Sequence, residues 1–491
     1  MATIGQEQRP LLGPTHAPTH NDVEIPIVAE DRTDHPAADS GTVTPLPMKQ
    51  LSILMLMGLC EPITFTVIYP FVAELVNKTG VTGGDSEKIG YYAGLIESIF
   101  FLTESLFVLQ YGRASDRLGR RPVLMFGLFG LALSIFSFGL SKTFGGLIFT
   151  RALSGALNGN VGVAKSMISE ITDETNQAQC FSFMPMMWSL GSTLGPFIGG
   201  TFSNPAKHFP RLFDTPFWKE YPYFLPCLIA AMFTSCVFIL SALFLEETHH
   251  PNAEAKPQIS TTEYGTIDQP DRALPAKGPS LRSVLTKRAC IAIINYAFLA
   301  FSDITYLGII PVMFAASVQN GGLGLNPRSI GLILGLQGVV TGIVQVFCFA
   351  PIHRRFGSKR TFVAGLTAYM CLTLSLPVMN ALARRGIWWA VWSVMGIHLG
   401  LSCPAFMAFG CMTIFVISAA PSKSSLGTLN GVSQTTISIC RAIGPATATS
   451  LFAFSIERQV LGGWFVYAVL TCINIGGLVA SRWLKEEKRA H

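Results

Sequence analysis

Seven charged residues interrupt stretches that are otherwise apolar: the carboxylates Glu61, Glu97, Glu104 and Asp303, and the cations Arg151, Lys165 and Arg441. An ionised side chain at the centre of a bilayer costs roughly 2.5–3.5 kcal/mol on insertion scales, so such residues face a wet cavity or one another. The proton affinity of a carboxylate moves with burial and with neighbouring charge. A set like this suits the taking up and release of protons within a membrane. The spacing supports a shared interior. Glu97 and Glu104 are seven residues apart, two turns of one helix. Arg151, Gly155, Asn158, Gly162 and Lys165 recur at intervals of 4, 3, 4 and 3, which traces one helix face. Gln434, Ser438 and Arg441 do the same further on, and Arg441 there mirrors the cations around Arg151. Glu61 precedes Pro62, where a kink can expose carbonyls, and a salt bridge from Glu61 to Arg151 or Lys165 is its structural alternative. His398 has the chemistry to carry a proton, but a hydrogen-bonded structural role is the expectation for it.

The composition places these residues in lipid. Charged residues make up 13% of the 491, where a soluble domain carries about 25%. Half of the chain is hydrophobic and the mean hydropathy is +0.45. Soluble enzymes, nucleic-acid binders and disulfide scaffolds are excluded on these grounds. The 11 cysteines form no CxxC pair and no Cys/His cluster, so no metal and no cofactor is expected. Twelve apolar segments, each near the roughly 20 residues that span a bilayer, start near residues 50, 90, 121, 145, 180, 223, 289, 329, 361, 387, 426 and 461. The expected fold is an all-α membrane protein with twelve transmembrane helices in two pseudo-symmetric six-helix bundles.

Residues 1–47 are polar, rich in Pro and Thr, and read as a disordered cytoplasmic tail. Within them, Glu7 to Leu11-Leu12 fits an acidic dileucine sorting pattern of low specificity. The first bundle covers 48–246, a Pro- and Thr-rich linker 247–287, the second bundle 288–483 and a short tail 484–491. With both ends inside, 22 of the 35 Lys and Arg fall in the inner segments, which satisfies the positive-inside rule. The sequon at Asn77 lies just past the first span, too near the bilayer for efficient glycosylation, and is expected to be unmodified.

The halves echo each other. Arg117-Leu-Gly119-Arg120-Arg121 after the second span parallels Arg355-Phe-Gly357-Ser-Lys359-Arg360 after the eighth, and Gly195-Pro196 parallels Gly444-Pro445. Internal repeats around a midplane site are a plan of secondary transporters. Three motifs stand out. The first runs Gly112-Arg-Ala-Ser-Asp116-Arg117-Leu-Gly119-Arg120-Arg121. Its glycines permit a tight turn, and its carboxylate can accept from an arginine or cap a helix N-terminus. The second is Gly191-Ser-Thr-Leu-Gly195-Pro196-Phe-Ile-Gly199-Gly200 in span five. Its small residues allow close packing and its proline a bend, with Gly331, Gly335, Gly338 and Gly342 of span eight as the expected partner. The third is Arg151-Ala-Leu-Ser-Gly155 in span four.

The first motif resembles the G-x-L-[AS]-D-R-x-G-R-[RK] signature of the major facilitator superfamily, with Ala114 in place of the usual Leu. The second resembles the G-x-x-x-G-P-x-x-G-G pattern of its drug:proton antiporters, and the third its R-x-x-x-G pattern. Over about residues 48–485 the chain is similar to the twelve-span antiporter branch, and in layout to fungal multidrug and metabolite efflux pumps. The resemblance implies a monomer in the lipid bilayer that exports a small organic molecule against protons, by rocking of its halves. It implies a cytoplasmic gate at Gly112–Arg121 that does not touch substrate, and an Arg151 that takes part in proton movement. Arg354 stands where the repeated motif has its aspartate, so only the first gate keeps a carboxylate. Plasma and vacuolar membranes are both open as locations. Two rivals remain: proton-coupled uptake, and a non-transporting sensor, for which the tail and linker are short. The chain carries no Walker A sequence, G-x-S-x-G or HExxH motif, which argues against an ATP-driven pump and an enzyme.

Overall fold

The computed structural model of the chain describes residues 44–172, 176–248, 284–421 and 426–485. The dileucine pattern, most of the linker and residues 486–491 lie outside them. Among the described residues every regular element is helical. The first half holds α1 (Met48–Thr66), its short continuation α2 (Val72–Lys78), α3 (Ile89–Leu118), α4 (Arg120–Leu140), α5 (Phe144–Ala156), α6 (Asn160–Glu170), α7 (Gln177–Phe202) and α8 (Phe224–Phe244). The second holds α9 (Lys287–Ala315), α10 (Pro327–Arg384), α11 (Trp388–Ala419), α12 (Leu426–Glu457) and α13 (Phe465–Ser481). With α1–α2 and α5–α6 each taken as one crossing, and α10 as two, the described residues make twelve crossings. Their starts fall close to those read from the sequence.

Seven of these helices are long and apolar enough to cross a membrane by length and composition. Two of the others are broken or brief. The fourth crossing is interrupted between Ala156 and Asn160, and α13 has 17 residues. Local residues set the boundaries. Thr143 and Thr286 cap α5 and α9 through their side-chain oxygens, and Asn326 caps α10 just ahead of Pro327. Large apolar side chains such as Phe126, Phe129, Phe347 and Trp389 remain exposed on the outer surface, where lipid takes the place of water.

The repeat seen in the sequence is a repeat in space. Gly119 (φ 100°) links α3 to α4, and Gly357 (φ 82°) breaks α10 into two arms at the corresponding point. Both angles lie in the left-handed region that a side chain resists. The halves meet chiefly through two helix pairs, α3 with α12 and α7 with α10, with α9 also touching α2 and α3. A β-carbon on Gly94 of α3 would lie 3.0 Å from the Pro445 carbonyl of α12, and one on Gly331 of α10 would strike the Pro196 carbonyl of α7. The proline of each half's Gly-Pro pair is thus a contact point for a glycine of the other.

These contacts close one end of the molecule. The distal end, away from Thr44 and Lys485, joins the start of α3 to the end of α12 and the end of α7 to the start of α10. The N–H of Ala446 donates to Ser98 Oγ at 2.9 Å, Asn320 Nδ2 to Ser86 Oγ at 3.0 Å, and the Tyr91 hydroxyl to Glu457 Oε2 at 3.3 Å. One apolar core runs across both halves here, with Phe65, Phe71 and Phe100 joined to Tyr306, Ile309 and Ile330. The proximal end of the first half has a separate core, with Leu54, Leu124, Leu128 and Met167, which takes in no residue of the second half. Among the described residues the core shared by the halves lies distally, and the proximal core of the first half stands apart from the second half.

Candidate functional site

At the proximal end the first motif forms an ion cluster. Arg120 donates from Nη1 to Asp116 Oδ1 at 2.6 Å and to Ser115 Oγ at 2.7 Å, and from Nη2 to Glu170 Oε1 at 2.9 Å. Asp116 therefore accepts from an arginine, one of the two roles expected of it. The capping role falls to Glu247, which accepts the N–H groups of Arg120 and Arg121 at 2.8 and 2.9 Å at the start of α4. A carboxylate there also meets the positive end of the helix dipole. A β-carbon on Gly119 would lie 2.6 Å from Glu247 Oε2, a second reason for glycine besides its φ. Arg121 reaches the Ala242 carbonyl, Arg117 is exposed and Gly112 has open space beside it. Glu247 and Thr248, whose hydroxyl reaches Glu170, thus belong to this cluster. Glu247→Ala is expected to lower unfolding free energy by about 1–2 kcal/mol, read as a lower thermal midpoint of the detergent-solubilised protein. An unchanged midpoint refutes the cap.

The span-five glycines divide between two partners, which corrects the expectation that span eight takes them all. Gly191, Gly195 and Gly199 lie against Pro62, Thr66 and Val67 of the first crossing, inside their own half. Only Gly200, with the Pro196 carbonyl, meets α10, where its β-carbon would fall 2.7 Å from Gly331 Cα. Successive glycines four apart share one face and Gly200 is turned off it. Gly335 and Gly338 instead receive Phe197 and Thr193 of α7, and Gly342 has only Ser189 nearby, at 3.5 Å.

The interior charges separate into two sites. The first is sealed. Glu97 is completely buried, and among the described residues neither of its oxygens has a hydrogen-bond partner. It lies in the seam between the halves, where a β-carbon on Gly308 of α9 would be 3.1 Å from its Oε2 and 3.2 Å from Pro445 Cα. Arg151 is the cation whose charge acts on it, and the Tyr69 hydroxyl shares their field. The guanidinium of Arg151 is 1% exposed, with its carbon 5.1 Å from the Phe100 ring centre and close to the Phe65 and Phe138 rings. Among the described residues its hydrogen bond runs from Nη2 to the Phe65 carbonyl at 3.5 Å.

The second site lies toward the proximal end. Asn158 donates to Glu104 Oε1 at 3.4 Å and also reaches Glu61, while the charges of Lys165 and Arg441 act on Glu61. Arg441 stacks over Trp188 at 4.7 Å and over Phe101 at 5.7 Å, bringing α12 against α7 and α3. Gln434 is exposed on the same helix and Gly162 has open space beside it. The structure answers three expectations here. Of the two cations offered to Glu61, the charge of Lys165 acts on it, while that of Arg151 acts on Glu97. The span-four stripe does not keep one face, because the break between α5 and α6 turns Asn158 and Lys165 away from Arg151. Arg441 is also no mirror of Arg151, since α12 repeats α7 rather than the fourth crossing.

In the second half Asp303 accepts from the Tyr369 hydroxyl at 2.8 Å. His398 is bonded at both ring nitrogens, to the Tyr306 hydroxyl at 2.8 Å and to Ser375 Oγ at 2.7 Å, and Gln337 donates to the same tyrosine at 3.0 Å. That satisfied network fits a structural histidine. Tyr306→Phe is expected to cost about 1–3 kcal/mol of stability, because it strands His398 and Gln337, with transport little changed in kind. Loss of transport without loss of stability would contradict this. Asn77 is exposed at the end of α2, which prolongs the first crossing. Outside the membrane, Asp85 caps the turn beside Ser86, and the N–H of Glu87 holds its carboxyl below the usual range. The sequence had drawn no attention to Glu170, Glu247, Trp188, Tyr69 or Tyr369. Glu247 acts across 126 residues of chain from Arg121, which no local spacing reveals.

Comparison with known proteins agrees with this architecture. The profile of the Major Facilitator Superfamily matches residues 54–445. The major facilitator superfamily multidrug transporter mfsB of Aspergillus fumigatus is 30% identical over 90% of this chain and 84% of its own. The efflux pump azaK of Aspergillus niger is 30% identical over 99% of this chain and 96% of its own. The crystal structure of the human organic anion transporter MFSD10 (TETRAN) superposes with a TM-score of 0.59 at 18% identity, covering 89% of this chain and all of that one, a likeness of fold. A match of this extent, on a chain whose two halves meet through equivalent glycine–proline contacts, makes it a member of the major facilitator superfamily and a multi-pass membrane transporter.

Proposed function

We propose that this transporter exports a small organic molecule in exchange for protons, by alternating access, with both termini in the cytoplasm of a plasma or vacuolar membrane. The observation that carries the reading is Glu97, a carboxyl group sealed in the seam between the halves with Arg151 as its charge partner. A proton on Glu97 cancels that attraction, so proton uptake and the state of the seam are coupled. The substrate is held in the site open toward the termini. Glu61 and Glu104 there face Lys165 and Arg441, and Trp188 adds an aromatic surface. This mixture suits an amphiphile with a charged or polar end. The direction rests on the names of the relatives, a multidrug transporter and an efflux pump, and on the span-five motif.

The test is reconstitution in liposomes with an imposed pH gradient and a panel of cationic and neutral amphiphiles, with Arg151→Ala and Glu61→Gln beside the parent. Movement opposite to the protons, lost in Arg151→Ala, supports antiport. Movement with the protons assigns uptake instead. Specific binding without movement in either direction assigns a sensor.

A further inference from the structure

The proximal ends of the two halves differ in charge balance. In the first half, Arg120 and Arg121 are met by Asp116, Glu170 and Glu247. In the second, Arg354 occupies the place of Asp116 in the repeat. Near the equivalent bend at Gly357 lies a cavity of about 540 Å³, between the start of α9, the second arm of α10, the end of α11 and the residues after α13. Its lining carries Lys287, Arg288, Lys359, Arg482 and Lys485, and no acidic residue among the described ones. Lys359 is engaged, donating to the carbonyls of Arg482 and Leu484 at 2.9 and 2.7 Å. Lys287, Arg482 and Lys485 are exposed at the rim. Beneath them the wall is apolar, with Ala292, Phe415 and Ala419 buried.

We propose that this cavity binds the headgroup of an anionic phospholipid. The cations take the phosphate, and the apolar wall takes the upper part of the acyl region. Free phosphate matches the charge but gains nothing from the wall. The cavity opens where the helices leave the membrane, and Trp483 at its edge, 62% exposed, is a residue type that settles at the bilayer interface. Basic pockets between helices at this depth recognise charged lipid heads. The positive end of the α9 dipole adds to the field. A lipid held there ties the second half to the bilayer surface at the end where the halves part.

The full chain in mixed micelles is titrated with a phosphatidylinositol phosphate or with phosphatidylcholine, and bound lipid is counted by native mass spectrometry. Each cation at a charged membrane surface is worth about fivefold in affinity, so the triple variant Lys287→Gln, Arg482→Gln, Lys485→Gln is expected to bind the anionic lipid roughly 100-fold more weakly. A triple variant of distal cations, Lys207→Gln, Arg211→Gln, Lys219→Gln, is expected to bind as the parent does. Matching unfolding curves without lipid establish that both variants fold. Equal binding of the two lipids, or equal loss in the two variants, overturns the proposal. Displacement of the lipid by inorganic phosphate at similar concentration assigns the site to free anions instead. Binding that appears only after removal of residues 486–491 assigns it to the chain's own Glu486 and Glu487.

Discussion

Glu97→Gln is expected to abolish proton-driven accumulation while leaving downhill exchange of substrate intact. One coupled proton under a gradient of two pH units sustains about 100-fold accumulation, since each unit is worth about 1.4 kcal/mol. The variant is expected to fall to a ratio near one. Glutamine keeps the volume that fits between Gly308 and Arg151 and removes only the titrating group. Stability separates coupling from packing. Arg151→Met alone leaves the buried carboxyl without the cation whose charge acts on it, and is expected to lower the thermal midpoint. Combined with Glu97→Gln, the same change is expected to recover most of that loss, read as the thermal midpoint, yet to regain no accumulation. If Glu97→Gln accumulates substrate normally and Glu61→Gln does not, the coupling group is in the open site.

Gly331→Leu is expected to stop transport by wedging the distal end. Its β-carbon would meet the Pro196 carbonyl and lie 2.6 Å from Gly200 Cα. Both are backbone atoms, so relief requires the helices themselves to separate. Overpacking of this kind costs about 1–3 kcal/mol, and the upper value shifts the equilibrium between sealed and parted states by roughly 100-fold. Ser98→Cys, placed in the seal, reports it: maleimide labelling from the distal side is expected to rise sharply in the wedged protein. Gly342→Leu is the control, since its surroundings are open apart from Ser189. Normal transport by Gly331→Leu would mean that the halves do not close on Gly200 during the cycle.

What the sequence determined by itself was the membrane, the crossings, the repeat and the family. Each of these rests on a local property. Apolar length marks a helix in lipid, and Pro and the capping residues mark its ends. A motif such as Gly112–Arg121 is read within one short segment. The interior ionisable residues were legible for the same reason, because a charge is conspicuous in an apolar run. Their pairing was decided only by the tertiary structure. Arg151 and Lys165 share a spacing that promises one face, but the interruption at 157–159 sends them to different sites. Glu61 and Glu97 are both buried carboxylates, and nothing in their neighbours along the chain tells which one Arg151 serves. Glu247 looked like the first residue of a linker, because the α4 N-terminus it caps lies far back in the chain. The glycines of span five were visible as a packing surface, but the surface was double. Which face met span one and which met the other half depended on how the helices assemble around them. Side-chain type and local spacing are carried by the chain itself, whereas partners distant in sequence are chosen by packing, and the charge balance of the interior follows from that choice.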